Sequence, residues 1–581
     1  MLGTYASFLA LFAAAALVGQ ALFVACGRRQ WSPLAPAVGL AALCPIAWWT
    51  VRLPGEGAAT AIALALCAAL AVFYLRGRAT GGRSALGAAP LALAALLAAS
   101  LPFLVEGRFG ILGTGLNPDM SQHLFAVDRL AGGLNERLFS QGYPLGPHSL
   151  AAALAELGPS TVQAFGGLTL ATAVAACLAP LALLSEVSGW RRFAGALCVG
   201  FAYLAAAYLV QGAFKEALQA LFVLAFAIAL AELGRRNRGL GSKRSGLEAV
   251  PLGVLALGSV YVYSFPGLAW LLGGALVWAT IELALAVRRG ALSAGVALLR
   301  RAAPAALAAT AVLVVGTLPE LGRIVEFASF ETFDPEGAGL GNLFDRLSPL
   351  QALGIWPSGD FRVEPGDGSL PGAVFYLGSA AGLAALAFGL LWWWRHGQRA
   401  ILAALIAALV LWAYALVGGT PYQEAKALVM AAPLVALVSV RALVAAAPSV
   451  VVASFLLAAG GSSLLALANG QVGPSGYTPE LAELREELGE GSYVVFAPAE
   501  LLDDQHGRDY LVWELRGNRI CVEELGEANV PPSGADSIAV LIDDQGAVVP
   551  EGVYTNDGQG AGGPCPLIPD GARADPGAAA N

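Results

Sequence analysis

The chain has 581 residues, 57% of them hydrophobic and only 13% charged, with a formal net charge of −8. Soluble domains carry about a quarter charged residues, so this composition, with a mean hydropathy of +0.67, excludes an ordinary soluble protein. No nucleic-acid partner is expected, and the net charge itself says little about partners, because acids and bases are sorted along the chain and their sum hides the sorting.

Apolar runs long enough to cross a hydrocarbon core of about 30 Å recur along most of the sequence. They fall at 5–26, 34–51, 58–75, 85–105, 162–184, 193–210, 217–233, 247–263, 268–287, 303–318, 373–394, 401–417, 427–440 and 450–467, about fourteen spans by the length criterion. Alternate connections are basic, from Arg28/Arg29 through Arg76/Arg78/Arg83, Arg191/Arg192 and the 235–244 cluster to Arg395/Arg399. The positive-inside rule places those loops in the cytoplasm. The other connections hold Asp119, Glu320, Glu331, Asp334 and Asp360, which puts the Asp119 loop and both termini outside a bacterial plasma membrane. The first apolar run has no basic residue ahead of it and Arg28/Arg29 behind it, which reads as a retained span rather than a cleaved signal.

The expected fold is an α-helical polytopic membrane protein with a small outward-facing C-terminal α/β module. Residues 1–469 form the membrane domain, with long outward loops at 106–161 and 319–372. Residues 470–555 form the module, with a helix at 479–488 and strands at 493–496, 510–515 and 538–542. A low-complexity tail, 556–581, ends the chain. The 106–161 loop carries two short surface helices, 119–130 and 148–157, the second entered through Pro144 and Pro147. Five cysteines lie in or beside spans, where Cys behaves as a small apolar side chain. Cys521 and Cys565 fall in the outward region, where an oxidising compartment permits a disulfide.

Residues able to carry chemistry gather at the outward ends of spans. Asp119 and His123 are four apart and share a helix face. Asp119 reads as a general base toward a hydroxyl or as the cap of the helix it precedes. His148 reads as a ligand-binding group or as one satisfying local backbone. Lys215 and Glu216 open one span, Tyr422 and Lys426 another; such groups either snorkel to the headgroups or meet a lipid phosphate. Arg323 and Arg108 add to the cationic set.

The stretch 117–129, with its Asp and His, followed by Tyr143-Pro-Leu-Gly-Pro-His148 and an Ala/Leu helix, resembles bacterial membrane glycosyltransferases of the GT-C superfamily. Phe214-Lys215-Glu216 and Pro421-Tyr422 with Lys426-Ala-Leu are similar to actinobacterial members. The resemblance covers roughly residues 85–467. It implies a polyprenyl-phosphate sugar donor, an envelope glycan, lipid or protein acceptor, and Asp119 as the base of an inverting transfer. His123, Tyr143, His148, Lys215, Glu216, Arg323, Tyr422 and Lys426 would bind substrate, the cations answering the departing phosphate. The superfamily usually places the acidic loop after the first span; here it follows the fourth. No paired-acid motif marks a metal site, and a divalent cofactor stays open.

Two other readings stand beside this one. A transporter or flippase of a lipid-linked sugar tends to hold ionisable residues near the bilayer midplane on broken helices, whereas these gather at one face. A non-catalytic envelope scaffold would need neither Asp119 nor the cations around it.

Overall fold

In a computed structural model of the protein, the described residues are 1–113, 120–132, 142–237, 246–288, 292–330, 339–473, 481, 484–485, 488, 491–499, 505–524, 536–542 and 548–554. Among them ten helices are long and apolar enough to cross a membrane, or eleven if the Trp190–Gly200 and Tyr203–Val210 pair, bent by 56°, counts as one. The sequence suggested about fourteen such spans, and the difference has a local cause at each place. Ala35–Thr50 has 16 residues, a rise of about 24 Å. The 85–105 run divides into Ala89–Ala99 and Leu101–Val105, with Pro102 at the start of the second piece. The 193–210 run is the bent pair.

The fourth place is the helical run Val250–Arg288, interrupted by Ser264 at φ 57° and ψ −154°, two residues before Pro266. A Cβ on Gly267 would sit 2.5 Å from the Ser259 hydroxyl. Eight residues of straight helix would separate them by about 12 Å, so the chain doubles back at Ser264 into two arms. Gln219 fastens the bend, its Nε2 donating to the Gly267 carbonyl at 2.9 Å while its Oε1 accepts from Ser259 at 2.7 Å.

Between apolar helices in a lipid solvent, close approach of backbones supplies much of the packing. The Leu2–Ala25 and Ala35–Thr50 helices meet this way. A Cβ on Gly39 would lie 1.7 Å from the Ala15 carbonyl oxygen, and one on Gly19 would lie 1.9 Å from that of Ala35. Gly39→Ala is therefore expected to destabilise the protein by at least about 1–3 kcal/mol, the usual range for overpacking. Gly461, which has nothing within 4 Å of its Cβ position, is the control; Ala there should be neutral or slightly stabilising. Thermal unfolding of the two variants in detergent makes the comparison.

Ion pairs tie helix ends together away from this packing. Arg28 meets Glu232 at 2.8 Å and Arg399 meets Glu282 at 3.2 Å. Arg441 meets Glu186 at 3.2 Å and donates through Nε to the Leu183 carbonyl at 2.8 Å. Glu232 lies 17 positions past Lys215 on the Phe214–Asn237 helix, about 26 Å along its axis, so the Arg28 pair and the lysine occupy opposite ends.

The C-terminal module is a four-stranded sheet of β3 (Ser492–Ala497), β4 (Arg519–Glu524), β5 (Asp536–Ile542) and β6 (Val548–Tyr554), ordered β4-β3-β5-β6. β3 runs parallel to both neighbours, and β6 closes the edge antiparallel to β5 with a bulge at Ala539/Val540. Segment 510–515, read from sequence as a strand, belongs to the Gln505–Glu514 helix. Tyr510 and Glu514, Leu511 and Leu515 are buried pairs four apart, and Trp513, Glu514 and Leu515 are buried in succession, which helical spacing allows and alternation does not. Most of the expected 479–488 helix and all of the tail lie outside the described residues. Cys521 is disulfide-bonded; Cys565 lies outside the described residues. Two short strands, β1 (Ile111–Leu112) and β2 (Val472–Gly473), pair antiparallel and join the start of the 106–161 region to the end of the last span.

Candidate active site

Asp119 lies outside the described residues; the helix it precedes, Met120–Gly132, does not. One turn into that helix His123 meets His148, which enters the Gly146–Ala155 helix behind Pro147. His148 Nε2 and His123 Nδ1 are 3.2 Å apart. Phe214 packs edge-on against both rings, at 5.1 Å from His123 and 5.4 Å from His148. His148 is fully buried, which pushes its pKa down to about 3. His123 is half-buried; desolvation first, then His148, Lys215 and Lys426, hold it well below the ordinary histidine range. Both rings are thus neutral near pH 7, and one donates to the other.

A depressed folded-state pKa means that the unfolded chain takes up protons first. This part of the stability is complete above pH 6.5 and is lost as pH falls toward the folded value, by up to about 1.4 kcal/mol per pH unit for each group. The melting temperature in detergent should therefore fall between pH 7.5 and 5.5, with a shallower fall in His148→Gln. An identical pH slope in that variant would show that the pair does not titrate this way.

From this pair the network runs through Tyr143. Lys215 donates to the Tyr143 hydroxyl, and its ammonium lies 3.7 Å from the centre of that ring. Arg323 donates to the Tyr143 carbonyl at 2.6 Å. Arg323 also meets Glu320 at 3.0 Å and stacks 4.0 Å over Trp48, while Arg52 reaches Glu320 at 3.3 Å. The 319–372 region thus begins as helix, through Leu321–Phe327, and this continuation carries Arg323 to the site. Gly142 permits the approach, since a Cβ there would lie 2.3 Å from the Phe327 amide nitrogen.

Across the site Glu216, only 5% exposed, meets Lys426 at 3.1 Å and accepts from the Tyr263 hydroxyl at 3.2 Å. Lys426 lies 3.9 Å over the Tyr422 ring. Lys215 is the second residue of the Phe214–Asn237 helix and Lys426 lies in the second turn of the Pro421–Ala446 helix. Thr420 and Gln423 close the second helix start with a reciprocal capping box. Two positive helix ends and two ammonium groups therefore converge, an arrangement that favours an anion.

The middle of the 319–372 region covers this corner. Gly341, at φ +58°, lies so close to Tyr422 that a Cβ would come within 2.6 Å of the ring. Arg346 meets the buried Glu424 at 3.3 Å, Trp412 donates to the same carboxylate at 3.2 Å, and Asn342 donates to Gln211 at 2.9 Å.

All eight of the expected binding residues therefore belong to one connected set. Arg108 pairs with Glu106 at 3.6 Å. Sequence reasoning missed Tyr263, Phe214, Glu320 and Arg52 as members. Tyr263 had a signal: Ser264-Phe265-Pro266 interrupts an otherwise apolar stretch, which is where a helix bends. Among the described residues no three His, Cys, Asp or Glu side chains gather as metal ligands.

The fold and this site define a polytopic helical membrane protein with a polar, cation-rich side-chain cluster. No protein-family model matches the sequence, and no curated protein matches it. Among solved structures it is similar to the arabinofuranosyltransferase AftD from Mycobacteria, at 15% identity and a TM-score of 0.43, over 71% of this chain and 29% of that one.

Proposed function

We propose that the protein is a membrane glycosyltransferase of GT-C type, moving a sugar from a polyprenyl-phosphate donor to an envelope acceptor at the outer face of the plasma membrane. The observation that carries this reading is that Lys215, held by Tyr143, and Lys426, held by Glu216, come from two separate helix starts and both act on the His123 ring of the His123–His148 pair. A phosphate at that corner would face two ammonium groups and two positive helix ends. The acceptor hydroxyl gives its proton to the Asp119 carboxylate and its oxygen attacks the anomeric carbon. The bond from that carbon to the phosphate oxygen breaks, and the electron pair leaves with the polyprenyl phosphate, inverting the centre. Fixed donors for such a leaving charge are worth about 2.7–4 kcal/mol each in comparable sites. The Arg-rich loops support this orientation by the positive-inside rule.

The broken helix at Ser264 is the feature that favours the transporter reading, and one assay separates the two. Purified protein in detergent is given a panel of polyprenyl-phosphate sugars and acceptors, and released polyprenyl phosphate is measured. Release that depends on acceptor supports the transferase. No release, together with movement of the lipid-linked sugar between leaflets of proteoliposomes, would replace it with a flippase.

A further inference from the structure

The Gln505–Glu514 helix has two apolar faces that serve different bodies. Leu511 and the following Leu515 pack into the module's own core with Val495, Ile520 and Ile538. Tyr510 and Trp513, three apart on another face, are buried in the core of the membrane domain. A polar lock sits beside them. Trp513 Nε1 donates to Asp128 Oδ2 at 3.1 Å, and Arg516 Nε reaches the same oxygen at 2.6 Å. The Thr161 hydroxyl donates to Asp128 Oδ1. Arg516 also lies 4.3 Å over the Trp513 ring. Asp128 and Arg516 are each 11% exposed. Their neighbour Glu514 is buried, which pushes its carboxyl up to about 7.

Asp128 belongs to the Met120–Gly132 helix, five residues past His123 and about 7.5 Å along the axis. Leu124, Val127 and Leu130 bury the apolar side of that helix, and apolar contact alone leaves room to slide or tilt. A carboxylate held by two hydrogen bonds and an ion pair, from two elements, does not. We propose that the C-terminal module is a clamp on the helix that carries His123 and follows Asp119, with Asp128 as a positioning residue gripped by Arg516 and Trp513. The clamp sets the placement of the acid and the histidine against the phosphate corner, where an error of about 1 Å can cost a hundredfold in rate.

The kinetic part of this inference rests on the transferase reading; the structural part does not. Arg516→Ala, Arg516→Lys and Asp128→Asn are made in the full-length protein, and amide hydrogen exchange is followed along the chain. Arg516→Ala should raise exchange across 120–132 at least tenfold while 214–237 and 421–446 keep theirs. Unchanged exchange at 120–132, or a rise spread evenly over all helices, overturns the clamp. In the transfer assay kcat should fall at least tenfold while KM for donor stays within about threefold, the pattern of a misplaced reacting group. Arg516→Lys should recover part of kcat because the charge is kept. A loosened helix with unaltered kcat overturns the positioning role. A wild-type protein that transfers nothing, with the exchange response intact, sinks the transferase and leaves the clamp standing.

Discussion

Asp119→Asn is expected to lower sugar transfer by about a hundredfold to ten-thousandfold, the span typical of removing a positioned general base, with little change in folding or donor binding. Asparagine is as good an N-cap as aspartate, so the Met120–Gly132 helix keeps its start and His123 its place beside His148. What disappears is the carboxylate that takes the acceptor proton. The measurements are initial rates of polyprenyl phosphate release, donor affinity by titration, and the melting temperature of wild type and variant. Near-normal transfer with normal stability would reduce Asp119 to a cap. A lost melting transition would instead make its charge structural.

The helices of this chain are legible because the hydrocarbon core imposes a length and a composition on anything that crosses it. Each apolar run named from sequence is helical. How the runs are bent is less legible: Ser264 breaks its helix through a positive φ that no periodicity announces, and only the nearby Pro266 hints at it. The Gln505–Glu514 helix was misread because Tyr510-Leu511-Val512-Trp513 is rich in strand-favouring side chains. Its burial serves two cores at once, which blurs the pattern expected for one face.

The site was legible in its members and not in its connections. Lysines at the starts of two spans are visible in the sequence. That Lys426 reaches Glu216, while Lys215 turns away to Tyr143, depends on how distant helices pack. Glu320 and Arg52 show the same limit: each looks like a solitary surface charge, and only the packing makes them a chain with Arg323 on the Trp48 face.

Lys426→Ala is expected to remove both stability and transfer, and the two losses can be separated. Glu216 is almost wholly buried and faces Lys426 and the Tyr263 hydroxyl. Deleting the lysine leaves that carboxylate without its ion-pair partner, at a cost of about 3–5 kcal/mol for a buried pair broken from one side. Glu216→Gln made together with Lys426→Ala removes both charges, keeps an acceptor for Tyr263 and should regain most of the lost melting temperature. If Lys426 also binds the donor phosphate, the double variant should still bind a polyprenyl-phosphate sugar at least about tenfold more weakly than wild type, a difference of roughly 1.4 kcal/mol. Lys426→Arg should keep part of both properties, because the charge remains while its geometry changes. Wild-type donor affinity in the stabilised double variant would make Lys426 a counter-ion for Glu216 alone. The phosphate would then have to be held by Lys215 or Arg323.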